Sequence, residues 1–426
     1  MDTKIVHRKL VQIIAVLSAL AFLFSCCSAC GLDRFDKKSF EKINLKEYQY
    51  ALFISPQWTD DDGGKIGYLL LIKPNGQYLV QRQGSMDNGS ISWTKNSLFY
   101  TDSKRDYWLS DSRAPHRVPS EKFYLQDGLV TLADGVTRVG VYNGGYSNSQ
   151  HTDYDEQIVI SDTHWQSHRF RSHFQYSLVA ACGNDVYGLT TDDSLTSKVF
   201  DKSVDRIVQN KRFSFKKILR QNDPLGEFGV VGTRGSCREK NLVFLGFHSK
   251  ESGEKIRHTE VTKNLLAHQQ KDEYGKKEIE SIEVINVQTG EWKSLPLINK
   301  DHTTFLSNRF GFDYSVQTYN SLNKGYLYWI HGDGRILKTD MKSGVTTVVS
   351  TILHNTKHKI EDIAFHPTVI KNRMVVLVED WTKPDRDITI YTIDLKTGTK
   401  VSQVSIKGLE KKIADNMILR GFAVRP

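Results

Sequence analysis

The sequence is poor in cysteine, and it lacks the short motifs of the common enzyme classes. Only five of its 426 residues are cysteine, and three of these fall within residues 26–30. A chain of this length with so few cysteines is not a disulfide scaffold, so a hydrophobic core must stabilise it. It contains no G-x-S-x-G nucleophile turn, no H-E-x-x-H zinc motif and no phosphate-binding P-loop. The sequence therefore leaves enzymatic activity undecided, favours a non-enzymatic role and predicts no cofactor.

The N-terminus has no apolar run long enough to span a membrane. The stretch Leu10–Phe24 has 15 residues, whereas a transmembrane helix needs roughly 20. Lys4, Arg8 and Lys9 precede it and small residues follow it. Basic residues, an apolar stretch and then small residues are the order of a cleaved export signal.

A cysteine stands at the predicted cleavage boundary. Leu23-Phe24-Ser25-Cys26 resembles the lipobox of bacterial lipoproteins, in which the cysteine is diacylated and becomes the mature N-terminus. Phe24 departs from that pattern, because a small residue normally stands there. Cys30 follows small residues but lacks the leucine, so it is the alternative; an ordinary secretory signal is another. The resemblance implies a signal peptide (1–25), an anchored linker (26–45) and a body (46–426) on the extracytoplasmic face of a cell membrane.

The body is basic, and this bears on its partners. The formal net charge of the whole chain is +9, which predicts attraction to anionic cell-wall polymers without predicting specificity. The segment Lys211–Arg220 mixes basic and aromatic residues. It is either a patch for a polyanion or membrane, or a half-buried strand with phenylalanines inward and lysines outward. An exported protein is not expected to bind nucleic acid, and we expect a monomer.

Alternating apolar residues and glycine-containing turns predict an all-β body. Three hexapeptides, Ile393–Gly398, Thr339–Gly344 and Ile285–Gly290, each follow one predicted strand and precede another. Their second residues (Asp394, Asp340 and Asn286) are 54 residues apart both times. Asp or Asn can bond its own backbone, and Gly supplies the positive φ of a tight turn. Each hexapeptide is therefore predicted to be a hairpin turn within one repeat.

The repeat length predicts a ring of seven sheets. A fourth turn, Ile72–Gly76, lies about four repeats before Gly290, and weaker strand-turn-strand units at 110–117, 161–171 and 200–209 fill the interval. Repeats of roughly 40 to 55 residues with four strands are typical of β-propellers. We therefore predict a single seven-bladed β-propeller of four-stranded blades, with paired β-sandwich domains as the alternative.

The C-terminus is predicted to close this ring. Residues 419–426 resemble residues 360–367, the predicted innermost strand of the last blade. They would complete blade 1, whose other strands begin near Tyr48, and so remove a free sheet edge. In architecture the body resembles the quinoprotein-like and WD-repeat propellers found among bacterial surface lipoproteins, although it lacks their Trp-Asp dipeptides. The resemblance implies a binding or scaffold protein at the cell surface.

The connections between the second and third strands of the blades (b–c connections) hold the candidate ligand residues. These are Trp58, Asp60 and Asp61 in blade 1, Tyr146, Asp153 and Tyr154 in blade 3, and Trp381 and Asp385 in blade 7. Aromatic faces beside carboxylates suit a sugar, which stacks through C–H groups while its hydroxyls are bonded. The alternative is that both tryptophans are wedges between blades beside solvated turn aspartates. A peptide or protein partner is also compatible with these connections.

An enzymatic alternative uses the same carboxylates. A polysaccharide hydrolase or lyase would need two carboxyl groups roughly 5 to 10 Å apart with separated pKa values. No metal site is predicted, because the spacing of His164, His168 and His173 does not place all three on one side of a strand. Cys182 precedes a predicted hairpin turn, so it is expected to be buried rather than nucleophilic. Residues 248–277 are a charged insertion in blade 5 with one predicted helix, 260–271.

Overall fold

The computed structural model describes residues 43–56, 66–95, 97–111, 116–147, 154–162, 166–191, 200–223, 228–249, 278–303, 305, 322–352, 363–380, 388–409 and 417–426. All of them belong to the compact unit Glu41–Pro426. Apart from a short 3₁₀ helix, Leu45–Glu47, the regular structure in these ranges is β-strand. None of the helical structure in them is long and apolar enough to cross a bilayer. The predicted helix 260–271 and most of the blade 5 insertion lie outside these ranges.

The strands follow one another in groups of four. Blade 1 contains β1 (Tyr50–Pro56), β2 (Gly67–Ile72), β3 (Tyr78–Gln83) and the last strand of the chain, β28 (Met417–Val424); blade 2 contains β4 (Ser92–Trp93), β5 (Ser97–Thr101), β6 (Arg105–Ser110) and β7 (His116–Pro119); blade 3 contains β8 (Leu125–Thr131), β9 (Arg138–Tyr146), β10 (Tyr154–Ser161) and β11 (Ser167–Ser172). Blade 4 contains β12 (Tyr176–Cys182), β13 (Asp185–Thr191), β14 (Phe200–Gln209) and β15 (Arg212–Asp223); blade 5 contains β16 (Phe228–Arg238), β17 (Asn241–Ser249), β18 (Glu278–Asn286) and β19 (Trp292–Pro296). Blade 6 contains β20 (Leu322–Asn323), β21 (Tyr326–Ile330), β22 (Arg335–Asp340) and β23 (Thr346–Thr351); blade 7 contains β24 (Ile363–Ile370), β25 (Arg373–Asp380), β26 (Ile388–Asp394) and β27 (Lys400–Ile406).

These groups form a seven-bladed β-propeller of four-stranded antiparallel blades, as the sequence predicts. The β-sandwich alternative is wrong. Blades 4 and 5 are joined into one eight-stranded sheet by a parallel pairing of β12 with β16. The first strands of successive blades contact one another, β4 with β8, β8 with β12 and β12 with β16, so the first strand of each blade lies at the centre of the ring.

The C-terminal strand closes the ring, which confirms the prediction. β28 pairs antiparallel with β1, from Tyr50 opposite Val424 to Pro56 opposite Met417. Next to it, Arg425 N donates to Gln49 O at 2.9 Å, and Gln49 Nε2 donates to Arg425 O at 2.9 Å. Blade 1 is thus assembled from both ends of the described chain.

The hydrophobic core lies between neighbouring blades. One cluster joins Leu52 and Leu70 of blade 1 to Leu377 and Ile390 of blade 7, and all four side chains are buried. Alternate residues of each strand point to opposite faces, so each blade packs against both neighbours. The shared cluster confirms that blades 1 and 7 are adjacent.

The predicted hairpin turns join the third and fourth strands of their blades. In blade 7, Asp394 Oδ1 accepts hydrogen bonds from the backbone N–H groups of Lys396 and Thr397, both at 2.9 Å. Gly398 follows with φ +72°. The same arrangement recurs at Asp340 and Asn286, so the repeat seen in the sequence is a repeat of turn geometry.

Each of these turns also packs on the preceding blade. A Cβ atom on Gly398 would collide with the carbonyl oxygen of Val349 in blade 6, and one on Gly344 would collide with that of Pro296 in blade 5. Ser350 Oγ donates to Gly398 O at 2.7 Å across the same contact. Glycine is therefore required twice over, for its positive φ and for the close approach of two backbones.

One predicted repeat boundary is wrong. Residues 200–209 are not a strand-turn-strand unit but one continuous strand, β14. The turn follows at Asn210 and Lys211, whose φ values are +47° and +67°. Two consecutive residues with positive φ form the type I′ turn that favours a tight hairpin. Because no glycine stands in this turn, the sequence did not reveal it.

A disulfide joins blades 4 and 5. Cys182, at the end of β12, is bonded to Cys237 in β16, with their Cα atoms 5.2 Å apart. Gly183 follows Cys182 with φ +69° in the hairpin to β13, so the predicted turn is confirmed. Cys182 is half-buried and cross-linked, a role that the sequence analysis missed.

Blades 2 and 3 are joined by a buried ion pair. Lys122 Nζ lies 2.8 Å from Asp106 Oδ1, and both side chains are inaccessible to solvent. The Asp106 carboxylate also accepts hydrogen bonds from Thr101 of blade 2 (3.0 Å) and from Ser161 (2.8 Å) and Ser167 (2.7 Å) of blade 3. Burial lowers the pKa of Lys122, while the Asp106 charge opposes that shift.

Candidate functional site

Two of the eight predicted ligand residues, Tyr146 and Tyr154, fall within the described residues. The other six (Trp58, Asp60, Asp61, Asp153, Trp381 and Asp385) lie outside them, so their roles stay predictions. The strands that flank them do have the predicted order, because β1 and β2, and β25 and β26, are the second and third strands of their blades. These connections therefore leave the same side of the ring as the one between β9 and β10.

Tyr146 and Tyr154 form an aromatic pair where β9 ends and β10 begins. They lie opposite each other in the strand pairing, with ring centroids 5.2 Å apart in an edge-to-face arrangement. Tyr146 is 40% exposed, whereas Tyr154 is half-buried and its hydroxyl donates to Asn143 Oδ1 at 2.7 Å. Burial raises the pKa of Tyr154 to about 12. Tyr146 thus exposes an aromatic surface, and the half-buried Tyr154 packs against it.

A β-bulge at Gly144 and Gly145 positions this pair. The pairing register shifts between Tyr154 and Glu156, where the two glycines lie opposite one residue of β10. Gly145 has φ +78°, and a Cβ on Gly144 would lie 2.6 Å from the Asp155 carbonyl oxygen. Bulges redirect the side chains that follow them. Both glycines of the Gly144–Gly145 pair therefore have a local structural function.

Beneath the tyrosines lies a chain of polar side chains that the sequence analysis did not identify. Asn143 Nδ2 donates to Asp127 Oδ2 at 2.9 Å, and Asp127 is hydrogen-bonded to Glu156. Glu156 is completely buried, and one of its oxygens accepts the Tyr176 N–H at 3.0 Å. Asp127 is half-buried at a second bulge, where β8 shifts register against β9.

Burial favours the protonated form of both carboxyl groups. A hydrogen bond between two carboxyl groups requires that one of them is protonated. Burial raises the pKa of Asp127 to about 6, and burial together with the Asp127 charge raises that of Glu156 well above its usual range. The proton therefore belongs to Glu156, and Asp127 is the anionic partner near neutral pH.

A sequence signal for Glu156 did exist. Glu156 lies two and four residues before Ile158 and Ile160 in the same strand, so the three side chains share one face. Both isoleucines are buried, so the Glu156 side chain must also point inward. A carboxyl on the buried face of a strand is rare without a partner. Asp127 gave no such signal, because the bulge removes it from the regular alternation of β8.

A charged pair from two other blades lies beside this cluster. Arg420 in β28 is 2.8 Å from Asp87, in the segment that leads into β4. The Asp87 backbone bonds to Gln126 N, next to Asp127, at 2.9 Å. The charge of Asp87 contributes to the raised pKa of Asp127. Blades 1, 2 and 3 thus all place charged side chains near the start of β8.

The cluster combines an exposed aromatic ring with an amide and two carboxyl groups beneath it. The described residues contain no group of three or more His, Cys, Asp or Glu side chains placed to hold a metal ion. Because Asp127 and Glu156 hydrogen-bond each other directly, they leave no space for water or a glycosidic oxygen between them. What remains is an exposed ring backed by an amide and an anionic carboxyl.

Comparison with known proteins supports the fold. Residues 264–424 match the family model of the YycP beta-propeller domain. No curated protein sequence matches the chain.

Several solved structures are similar to this chain at low identity. A point mutant of Synechocystis apocarotenoid oxygenase is 9% identical, with 85% of this chain and 91% of that chain covered and a TM-score of 0.48. Apo AztD from Citrobacter koseri is 11% identical, with 88% and 98% covered and a TM-score of 0.43. BamB from Moraxella catarrhalis is 11% identical, with 74% of each chain covered and a TM-score of 0.36. At these values the similarities carry no functional argument.

Proposed function

We propose that this propeller is an exported binding or scaffold protein, anchored to the extracytoplasmic face of a cell membrane through Cys26 or, alternatively, Cys30. The basic, apolar and small-residue order of the N-terminus supports export. The Cys182–Cys237 disulfide supports it independently, because disulfides form and persist in oxidising compartments outside the cytoplasm.

The ligand is proposed to bind on the side of the ring where the b–c connections emerge. The observation that carries this proposal is the Tyr146–Tyr154 pair above the bonded side chains of Asn143, Asp127 and Glu156. A sugar ring can stack on the exposed face of Tyr146 while its hydroxyls bond nearby amide and carboxylate groups. A peptide or protein partner is the alternative ligand for the same surface.

A glycan-array screen of the purified protein, followed by substitution, tests the proposal. Tyr146→Ala removes the exposed ring and leaves the Tyr154 hydrogen bond intact, so it should weaken binding about tenfold. Trp58→Ala and Trp381→Ala should also weaken it. Val401→Ala, which trims an equally exposed side chain on β27, is the matched control. Unchanged binding in all three aromatic variants would remove this side of the ring from consideration.

A polysaccharide hydrolase or lyase is the second candidate. The separated pKa values of Asp127 and Glu156 favour it, because acid and base catalysis requires one protonated and one ionised group. Their direct hydrogen bond weighs against it. Cleavage of a polysaccharide that the array identifies, lost in Asp127→Asn, would show that the protein is an enzyme rather than a binding protein.

The anchor has its own test. Metabolic labelling with palmitate should label the wild-type protein, and a Cys26→Ala/Cys30→Ala variant should carry no label. Labelling that persists in the double variant would refute lipidation at both positions.

A further inference from the structure

The outer strands of blades 3 and 4 form a basic surface. β11 and β15 are the terminal strands of their sheets. The segments 166–175 and 210–219, which contain most of these strands, hold six Lys and Arg residues and no Asp or Glu. All six cationic side chains are exposed, namely Arg169, Arg171, Lys211, Arg212, Lys216 and Lys217.

Four phenylalanines lie between these two strands. Phe170 stacks on Phe213 with ring centroids 5.3 Å apart, and Phe174 stacks on Phe215 with centroids 5.8 Å apart and planes 9° from parallel. Lys217 Nζ lies 5.6 Å from the centroid of the Phe174 ring. We call these four rings the aromatic strip.

The aromatic strip is exposed, although 211–220 lies largely in a strand, as one of the two sequence interpretations expects. Phe170 is 42%, Phe174 38% and Phe215 47% exposed, and only Phe213 is half-buried. In a propeller the outermost strands extend beyond the reach of the neighbouring blade, so side chains that alternate inward still meet solvent. Contiguous exposed rings on a folded protein indicate an interaction surface.

The strip leads into a cavity of about 500 Å³, a volume within the range of ligand pockets. Its walls include Asp134, Asp162, His168, Lys211, Arg212 and Phe213. Lys211 Nζ lies 2.9 Å from Asp134. Burial disfavours ionisation of Asp134, but hydrogen bonds from Thr137 and Lys211 outweigh it and hold its pKa far below the usual range.

We propose that the aromatic strip and this cavity form a binding site for an acidic polysaccharide, with one acidic sugar in the cavity and the following sugars along the strip. The cations attract the carboxylate groups of the polymer, and the phenylalanine rings accept the C–H faces of its sugars. Asp162, which lines the cavity, supplies carboxylate acceptors for hydroxyl groups of the ligand.

An anionic membrane surface fits this site less well. A flat bilayer surface cannot enter a cavity with fixed polar walls, so the cavity would contribute nothing to membrane binding. The site also differs from the one on blade 3, because the cavity lies at the a–b and c–d turns, on the opposite side of the ring from the b–c connections. Failure of either proposal leaves the other standing.

Binding of the full-length protein to immobilised polygalacturonate tests the proposal, with neutral dextran as the reference polymer. Phe170→Ser/Phe215→Ser should weaken binding about tenfold, and Arg212→Gln/Lys217→Gln should weaken it by a similar factor and reduce its salt dependence. Val348→Ser/Val401→Ser is the matched control, because these side chains are 52% and 49% exposed on the outer strands of blades 6 and 7.

The expected result is binding to polygalacturonate but not to dextran, lost in both site variants and kept in the control. Equal binding to dextran would overturn the acidic specificity. Equal affinities for the site and control variants would overturn the location. Binding to equimolar phosphatidylcholine–phosphatidylglycerol vesicles that depends on Phe170 and Phe215, without polygalacturonate binding, would identify a membrane surface instead.

Discussion

Replacing Lys122 by methionine should destabilise the propeller through the contact between blades 2 and 3. Methionine has a similar length and no charge, so the change leaves little cavity. It does leave the Asp106 carboxylate buried without its cation, although the hydroxyls of Thr101, Ser161 and Ser167 still donate to it. The perturbation is therefore mainly electrostatic.

The magnitude follows from the burial of both groups. Removing one partner of a buried ion pair costs about 3 to 5 kcal/mol, and the three remaining donors favour the lower value, about 3 kcal/mol. With an unfolding entropy of about 2.1 cal/mol/K per residue over about 380 residues, this corresponds to a fall in Tm of about 4 °C. Asp106→Leu/Lys122→Met leaves no buried charge without a partner. The hydroxyls of Ser161 and Ser167 lose their acceptor at about 1 kcal/mol each. Thr101 Oγ1 keeps the carbonyl oxygens of Asp102 and Arg105, both at 3.0 Å. The double variant should therefore lose no more stability than the more damaging single variant.

Urea unfolding of the four proteins in this cycle, followed by tryptophan fluorescence, gives the free energies. Lys73→Met is the control, because the ion pair of Lys73 with Glu47 is open to solvent and should contribute little. If Lys122→Met behaves like Lys73→Met, or if the two single effects simply add, the buried pair does not couple blades 2 and 3.

Three further predictions follow from other contacts. Cys182→Ser/Cys237→Ser removes a cross-link between residues that are 55 apart in sequence. The loss should lower the free energy of unfolding by about 4 kcal/mol through loop-closure entropy and so lower the urea midpoint. An unchanged midpoint would mean that the bond does not form. Gly398→Ala should lower Tm clearly more than Gly135→Ala. Both glycines have positive φ (+72° and +70°), but only Gly398 packs against another backbone, at Val349. Equal decreases in Tm would show that this backbone contact is not the cause. Because burial raises the pKa of Glu156, the folded protein holds a proton that the unfolded chain releases above the ordinary glutamate pKa, so wild-type stability should fall as pH rises. Glu156→Gln supplies an N–H in place of that proton and should flatten the profile of Tm at pH values above the ordinary glutamate pKa. An unchanged slope would refute a protonated Glu156 in the folded protein.

The architecture was predictable because a turn motif repeats along the chain. Asp394, Asp340 and Asn286 each cap their turn in the same way, so a constant spacing in sequence became a constant position in successive blades. The turn at Asn210 and Lys211 was not predictable from composition, since neither residue is glycine. The turns could be recognised from the sequence only where a glycine supplies the positive φ.

The disulfide had a signal that was overlooked. Cys182 and Cys237 are 55 residues apart, almost the 54-residue repeat, so a propeller places them at similar positions in adjacent blades. The blade 3 cluster was harder to predict, because bulges at Asp127 and at Gly144–Gly145 break the alternation by which inward side chains are recognised. Tyr146 and Tyr154 were identified only because aromatic residues near a loop are conspicuous by themselves.

The pairing of β28 with β1 determines the order in which this protein can be completed. During synthesis or export from the N-terminus, β1 emerges first, yet one of its two partner strands, β28, lies within the last ten residues of the chain. Until those residues arrive, one edge of β1 has no neighbour, and the core shared by blades 1 and 7 lacks Leu419 and Phe422. Blade 1 is therefore the first blade to be synthesised and the last to be completed. If the C-terminal residues were missing, the uncovered edge of β1 would be prone to aggregation.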